Sequence, residues 1–251
     1  MTPRARGRVR IKEGQKRVRV YLGGEVVADT INVKLVWEWP YYPTYYFPVS
    51  DVNTELLVST GETHHAPSRG ESQVFTVRAG DREAAGAARW YTESPLEDIR
   101  GHITFDWKAM GSWFEEDEQV YVHPRDPYTR IDILQSSRHV EVFVEGTKVA
   151  DTHQPRLLFE TGLPVRYYIP KTDVRRDLLE PTELRTDCPY KGTANYYSIE
   201  IDGERHENIV WSYRNPVRES TPVAGYVSFY NEKLDIYVDG ELEERPKTHF
   251  S

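Results

Sequence analysis

The sequence contains very little cysteine and no long apolar run. Its 251 residues include one cysteine, Cys188, which excludes an internal disulfide and a cysteine-rich structural zinc site. No apolar stretch approaches the roughly 18 residues that a helix needs to cross a bilayer. The N-terminal segment MTPRARGRVR lacks the apolar core of a secretory signal. These absences predict a soluble cytoplasmic protein that does not enter the membrane.

Positive charge is also in short supply, because 40 acidic residues outnumber 32 Lys and Arg and leave a formal net charge of -8. An acidic protein is on average repelled by a phosphate backbone, which argues against nonspecific nucleic-acid binding. The HExxH, GxSxG, Walker and Rossmann motifs are missing as well. We therefore expect neither a metal nor a cofactor. Aromatic residues are plentiful at 12%, enough for compact domains.

An internal repeat organises the chain. Shifting the sequence by 122 positions places KRVRVYLGGEVVADT, which begins at Lys16, over RHVEVFVEGTKVADT, which begins at Arg138. Residues 18–77 pair with 140–199 without a gap and share 19 identities in 60 pairs, where average composition gives about four by chance. The sequence thus predicts a tandem duplication, with an N-terminal copy at 1–114 and a C-terminal copy at 115–251.

Each copy carries the local signals of antiparallel strands. Apolar and polar residues alternate, and four two-residue turns that end in glycine are typical of β-hairpins. These turns are Gly23-Gly24, Glu145-Gly146, Asp202-Gly203 and Asp239-Gly240. No alternation of strands and helices is present, which excludes a doubly wound parallel sheet. The predicted fold is mainly β, as two homologous small antiparallel domains around aromatic-rich cores.

One short helix or turn is expected in each copy. In the C-terminal copy it covers 174–180, with Asp173 as the N-cap and Pro181 as the stop. The N-terminal copy repeats the pattern at 51–57. The adjacent His64 and His65 are interpreted as a loop feature, since neighbouring side chains on a strand point apart. The basic arm from Arg4 to Arg19 is interpreted as an edge strand protected by charge, or as a contact for RNA or an acidic partner.

Several motifs of the C-terminal copy resemble a known family. They are LLFETGLPVRYYIP at 157–170, the Asp173-Val174 pair, CPYKG at 188–192 and WSY at 211–213. In this order they resemble domain of unknown function family 427, which carries a nucleotidyltransferase-like label. The resemblance implies a β-tent-like fold and no established reaction. Zinc-bearing relatives of that fold use two cysteine pairs, so a structural zinc is not expected.

Residues kept in both copies are interpreted first as supports of the fold. They are Glu38/Glu160, Tyr45/Tyr167, Tyr46/Tyr168, Asp51/Asp173, Pro67/Pro189, Gly70/Gly192 and Trp90/Trp211. A glutamate beside apolar residues should be hydrogen-bonded to backbone or tyrosine hydroxyl groups, because a buried carboxylate without partners is costly. The alternative interpretation is that this glutamate faces a ligand.

Residues that differ concentrate cations and reactive groups in the C-terminal copy. Arg166 replaces Thr44, Lys171 replaces Val49, Cys188 replaces Ala66, Tyr190 replaces Ser68, Tyr213 replaces Thr92, and Lys191 replaces Arg69. This pattern predicts that the C-terminal copy is the functional one. Alternatively, the N-terminal copy has drifted to suit a contact between the domains and neither copy has a site.

The leading hypothesis is a module that binds a small anionic or nucleotide-like molecule, since arginine recognises carboxylate or phosphate and aromatic faces hold a flat ring. Its candidate ligand-binding residues are Arg166, Tyr167, Tyr168, Asp173, Tyr190, Trp211 and Tyr213. Only one of the adjacent Tyr167 and Tyr168 can line a given cavity.

An enzyme is the competing hypothesis. Cys188 would be its nucleophile with Lys191 favouring the thiolate, or Glu160 and Asp173 would act as an acid/base pair. Nucleotidyl transfer is disfavoured because the sequence lacks both a closely spaced carboxylate pair in a strand and a glycine-rich phosphate loop. A structural or protein-interaction role is the third alternative.

Overall fold

The computed structural model describes residues 9–248 and divides into two compact units, Met1–Asp126 and Pro127–Ser251. The sequence places the boundary between the copies after residue 114, and that position stays a prediction. Both units are built from antiparallel strands with short 3-10 turns, as predicted. Among the described residues, no helix has the length and apolarity needed to cross a membrane.

The first unit contains one large and one small sheet. The strands are β1 (Arg10–Glu13), β2 (Val18–Leu22), β3 (Glu25–Thr30), β4 (Lys34–Trp37), β5 (Thr44–Pro48), β6 (Leu57–Ala66), β7 (Gly70–Ala79), β8 (Arg82–Tyr91), β9 (His102–Phe105), β10 (Ser112–Glu115) and β11 (Glu118–Val120). The seven-stranded sheet has the order β1-β4-β5-β9-β8-β7-β6, and the four-stranded sheet has the order β11-β10-β2-β3.

The second unit repeats this arrangement. The strands are β12 (Ile131–Gln135), β13 (Val140–Val144), β14 (Thr147–Thr152), β15 (Arg156–Glu160), β16 (Arg166–Pro170), β17 (Leu179–Cys188), β18 (Gly192–Ile201), β19 (Glu204–Tyr213), β20 (Tyr226–Phe229), β21 (Asp235–Val238) and β22 (Glu241–Leu242). The large sheet has the order β12-β15-β16-β20-β19-β18-β17 and the small sheet β14-β13-β21-β22. The matching strand orders confirm the duplication.

All four predicted hairpin turns are present. Both residues of each turn have positive φ: Gly23 +56° and Gly24 +83°, Glu145 +45° and Gly146 +76°, Asp202 +53° and Gly203 +82°, Asp239 +56° and Gly240 +85°. Two left-handed residues in succession match the right-handed twist of the flanking strands. The turn residues therefore set the register of these hairpins.

The predicted short helix of the C-terminal copy consists of two 3-10 turns, Lys171–Asp173 and Arg176–Leu178. Asp173 is not an N-cap, because it ends the first turn and accepts a hydrogen bond from Thr152 Oγ1 at 2.6 Å. Pro181 does not stop a helix, because it lies inside β17. That strand is at the edge of its sheet, where a residue without a backbone N–H is tolerated.

A hydrophobic core lies between the two sheets of each unit. Alternation on β2 and β13 buries every second residue, as shown by Val18 and Val20 in the first unit and Val140 and Val142 in the second. A smaller cluster covers the other face of each large sheet. The second unit's smaller cluster is aromatic and consists of Leu158, Tyr168, Ala194, Tyr196, Trp211, Tyr213 and Val223. This cluster supports the candidate site.

Part of the basic N-terminal arm and the histidine pair both belong to edge strands. Arg10 and Lys12 lie in the exposed edge strand β1, as expected for the basic arm. The arm residues Arg4, Arg6 and Arg8 lie outside the described residues.

The interpretation of the histidine pair was wrong, because His64 and His65 belong to β6. That strand is at a sheet edge, so both side chains are exposed although they point to opposite faces.

Candidate functional site

A partly buried ion pair joins two distant segments of the second unit. Glu160 is the last residue of β15, and Lys191 lies in the turn between β17 and β18. Lys191 Nζ donates to Glu160 Oε2, and the two side chains are 12% and 8% exposed. Because both groups are largely removed from water, each depends on the other for compensation of its charge.

The first unit has a counterpart of this pair. Arg69 lies 3.0 Å from Glu38, and the Tyr46 hydroxyl donates to the same carboxylate at 2.7 Å. The hydrogen bond from Tyr46 confirms the expected tyrosine partner for this glutamate. Glu160 differs, since Lys191 is the partner that the described residues provide for it. The kept glutamates therefore pair with the cation of the corresponding turn in each copy.

Two buried tyrosines lie beside the Glu160–Lys191 pair. Burial raises the pKa of Tyr168 despite a 3.2 Å hydrogen bond from Trp211 Nε1, and the nearby Glu160 and Cys188 raise it further. Burial also raises the pKa of Tyr213, where Tyr168, Cys188 and Glu160 are again neighbours. Both phenols are therefore protonated at neutral pH.

Cys188 completes this group. It is the last residue of β17 and is half-buried, and its backbone oxygen accepts a hydrogen bond from Lys191 N at 3.3 Å. We call Glu160, Tyr168, Cys188, Lys191 and Tyr213 the hairpin cluster, because Cys188 and Lys191 belong to the β17–β18 hairpin. A carboxylate, an ammonium, a thiol and two phenols from four strands and one turn meet there.

Arg166 is engaged inside the protein. Its guanidinium donates to Glu232 at 2.6 and 2.7 Å and also to Asn231, and the side chains of Arg166 and Glu232 are 9% and 0% exposed. Burial acts to raise the pKa of Glu232, but the hydrogen bonds from Arg166 and Thr248 outweigh it and lower that pKa. The predicted anion-binding arginine thus forms a buried ion pair with its own chain.

The remaining predicted ligand-binding residues lie in different surroundings. Tyr167 belongs to the core between the sheets, on the opposite face from Tyr168, as strand alternation requires. Asp173 accepts hydrogen bonds from Thr152 and from Thr172, an arrangement that Asp51 repeats with its own partners. Asp173 and Glu160 therefore have separate partners. Tyr190 is half-buried, and its backbone oxygen accepts from Ser220 Oγ at 2.8 Å.

The strand register corrects two comparisons between the copies. Gln73 faces Trp90 in the first unit, whereas Asn195 faces Ser212 in the second. The shift of 122 positions therefore continues without a gap, and Tyr91 is the counterpart of Tyr213. The pairings of Trp90 with Trp211 and of Thr92 with Tyr213 were wrong, because both required a one-residue slip that turns a side chain to the other face.

Trp211 instead corresponds to an arginine of the first unit. It faces Ser228, as Arg89 faces Thr104. The Trp211 ring packs against Tyr230 at a centroid distance of 4.7 Å and at 5.6 Å from the guanidinium of Arg166. Sequence comparison could have found this correspondence if the gap-free shift had been extended to Tyr91.

Two clefts are found away from the predicted site residues. One of about 400 Å³ in the second unit is lined by Phe143, Glu145, Gly146, His206, Glu207, Ile209, Lys233, Leu234, Asp235 and Arg245. Another of about 580 Å³ in the first unit is lined by Gly70, Glu71, Glu93, Ser94, Pro95 and Arg100. None of the five residues of the hairpin cluster lines either cleft.

A group of potential metal ligands was missed by the sequence analysis. Ligand atoms of His139, Glu141 and Asp151 lie within 4.8 Å of one another. Lys148 Nζ contacts the two carboxylates at 2.5 and 2.8 Å, so an ammonium already lies between them and offsets one of their two charges. The alternation of β13 and β14 places these side chains on one face, which is the signal that could have found them.

A comparison with protein-family models shows to which family the chain belongs. The model described as domain of unknown function DUF427 matches twice, at residues 10–116 and 132–240. The chain belongs to the DUF427 family. The two DUF427 matches fall one in each compact unit and cover the large sheets of both. A comparison with curated proteins gives no match. The two DUF427 matches thus account for the duplicated fold, and they assign no reaction or ligand to it.

Proposed function

We propose that the second unit binds a small anionic or nucleotide-like molecule at the hairpin cluster. The observation that carries this proposal is the ion pair between Glu160 at the end of β15 and Lys191 in the β17–β18 turn, beside the buried Tyr168 and Tyr213. Phenols with raised pKa values remain hydrogen-bond donors, and an ammonium attracts an anion as a compact charge. Both properties suit a ligand with a carboxylate or phosphate group.

Partial exposure supports access to this cluster. Glu160, Cys188 and Lys191 are each intermediate in exposure, while the tyrosines beneath them are buried. A ligand anion would compete with Glu160 for the Lys191 ammonium. Lys191 is therefore the residue on which affinity should depend, and Arg166 does not contribute because Glu232 and Asn231 occupy its guanidinium.

Replacing Lys191 with methionine tests the proposal. We expect the wild-type protein to bind adenosine 5′-monophosphate or inorganic phosphate in calorimetric titrations at low salt. We expect Lys191→Met to weaken that binding at least tenfold, because it removes the cation that the anion contacts. Lys148→Met is the matched control, since it removes the same charge from an ion pair elsewhere in the second unit.

Two results would contradict the proposal. One is an unchanged dissociation constant in the Lys191→Met protein. The other is the absence of saturable heat for both probes with the wild-type protein at millimolar concentration. Far-ultraviolet circular dichroism of the variants verifies that each retains its β-structure, so that a loss of binding reports on the site.

A thiol enzyme is the second candidate, favoured by the position of Cys188 three residues before Lys191 in the same hairpin, where Lys191 N donates to Cys188 O at 3.3 Å. Thiol reactivity depends on a cation that favours the thiolate, and here the Lys191 charge is matched by Glu160. We expect Glu160→Gln to free the ammonium and to speed alkylation of Cys188 by iodoacetamide severalfold at pH 7. Intact mass identifies the product unambiguously, because the chain has one cysteine.

Glu180→Gln is the control for this experiment, since it breaks an ion pair of the same unit, with Arg205, whose side chains are 49% and 41% exposed. An alkylation rate that does not change in Glu160→Gln would exclude Lys191 as an activator of the thiol. Retained ligand binding in Cys188→Ala would favour the binding module over the enzyme, because a binder does not require the nucleophile.

A further inference from the structure

Two buried polar atoms without partners face each other in the first unit. Arg89 on β8 is directly opposite Thr104 on β9, so the side chains share one face of the sheet. Within residues 9–248, Arg89 Nε and Thr104 Oγ1 are both buried without a hydrogen-bond partner, and Thr104 is 5% exposed. A buried polar group without a partner is costly and calls for an explanation, of which a bound ion is one.

Positive charge accumulates around these two atoms. Although His64 is exposed, the loss of part of its hydration lowers the pKa of its imidazole, and the guanidiniums of Arg89 and Arg69 lower it further. Glu38 acts in the opposite direction, but it already pairs with Arg69. Among the described residues Arg89 forms neither an ion pair nor a side-chain hydrogen bond. The guanidinium of Arg89 is thus a cation without a counter-charge.

The second unit provides an internal comparison. At the positions of Arg89 and Thr104 it has Trp211 and Ser228. The Trp211 indole packs against Tyr230 and donates to the Tyr168 hydroxyl, and the one nearby lysine, Lys191, is matched by Glu160. The Ser228 hydroxyl is also buried without a partner among the described residues, so what distinguishes the first unit is the Arg89 guanidinium in the place of an aromatic side chain.

We propose that the first unit binds a small oxyanion, a carboxylate or a phosphate, at Arg89 and Thr104. The planar guanidinium of Arg89 offers a donor pair that matches both groups, and the Thr104 hydroxyl supplies a further donor. This site is separate from the hairpin cluster of the second unit. It reverses the expectation that the N-terminal copy has lost its cationic chemistry.

The imidazole of His64 reports on this site in the full-length protein. We follow its proton resonances by NMR against pH, assigned with His64→Gln, at increasing concentrations of inorganic phosphate and separately of acetate. Because a bound anion offsets the charges of Arg89 and Arg69, we expect saturable binding that raises the pKa of His64. The stronger of the two titrations identifies the preferred oxyanion.

Arg89→Gln should weaken this binding at least tenfold and raise the pKa of His64 in the absence of anion. Thr104→Val keeps the shape of the buried side chain and should weaken binding severalfold. Arg78→Gln is the matched control in the same unit, since Arg78 is exposed and pairs with Glu83, and it should bind like the wild type. Lys191→Met should also leave the His64 titration unchanged, which separates this site from the proposed function.

Unchanged anion affinity in Arg89→Gln would overturn the proposal. So would a His64 resonance that does not saturate with either anion in the wild-type protein. If Arg89→Gln fails to fold, Thr104→Val decides, and wild-type affinity in that variant is then the contradicting result.

Discussion

Replacing Arg166 with methionine is expected to lower the free energy of unfolding of the second unit by about 3–5 kcal/mol. The reason is the buried carboxylate of Glu232, whose side chain is 0% exposed and which would lose the two hydrogen bonds from Arg166. An uncompensated buried charge is far more costly than the loss of an exposed ion pair. Urea titration followed by hydrogen exchange of peptides from the second unit measures the change.

Arg175→Met is the matched control, because Arg175 pairs with Asp177 where both side chains are more than half exposed. We expect that variant to change the free energy of unfolding far less than Arg166→Met does, because water screens an exposed pair. The double change Arg166→Met with Glu232→Leu should recover most of the lost stability, since it removes the stranded charge. Equal losses in Arg166→Met and Arg175→Met would contradict the buried pair.

The same pair predicts a dependence on pH. Because the folded protein holds the pKa of Glu232 below its ordinary 4.5, the pair stabilises the fold fully above that value. This contribution is lost as pH falls through the lower folded value. The stability difference between wild type and Arg166→Met should therefore shrink below about pH 4.5, and a difference that grows on acidification would contradict the assignment.

Gly23→Ala is expected to destabilise the first unit by roughly 3–5 kcal/mol. A Cβ at Gly23 would lie 2.3 Å from the carbonyl oxygen and 3.1 Å from the carbonyl carbon of Ala79, and its φ is +56°. The substitution therefore combines a clash against backbone with a left-handed conformation. Urea titration of the purified variant measures the effect.

The neighbouring Gly24→Ala separates the two causes. Gly24 also has positive φ, at +83°, but a Cβ there would meet no atom within 4 Å. We expect only the conformational cost of about 1–2 kcal/mol. Similar losses in the two variants would mean that the β2–β3 turn does not pack closely against the end of β7. The second unit has Glu145 at the position of Gly23, which shows that this close approach belongs to the first unit.

The local part of the fold could be predicted from the sequence. Alternation along β13 and the glycines of four turns indicate hairpins, since both signals lie within a few neighbouring residues. The segment at 174–180 was harder, because Leu179 already starts a strand that pairs with β18 twenty residues away. Residues such as Asp173 and Pro181, which are typical of helix ends, do not reveal that the segment between them starts a strand, because that strand forms by pairing with distant residues.

The chemistry of the site was less predictable for the same reason. Nothing near Arg166 in sequence reveals that Glu232, 66 residues later, neutralises it. Likewise, the sequence around Arg89 does not reveal that the described residues provide no partner for its guanidinium, or that Trp211 takes its place in the second unit. A comparison of the charged residues of the two copies shows where they differ in cations, but it does not show which of these cations pair with a carboxylate of the same chain.

The most direct test of the account is a heteronuclear NMR titration of the intact chain with adenosine 5′-monophosphate. We expect saturable shifts of backbone amides at Lys191 and Gly192 and of residues beside Tyr168 and Tyr213, and their loss in Lys191→Met. Shifts confined to the cleft lined by Glu145 and Lys233, or no saturable shift in the second unit, would contradict binding at the hairpin cluster.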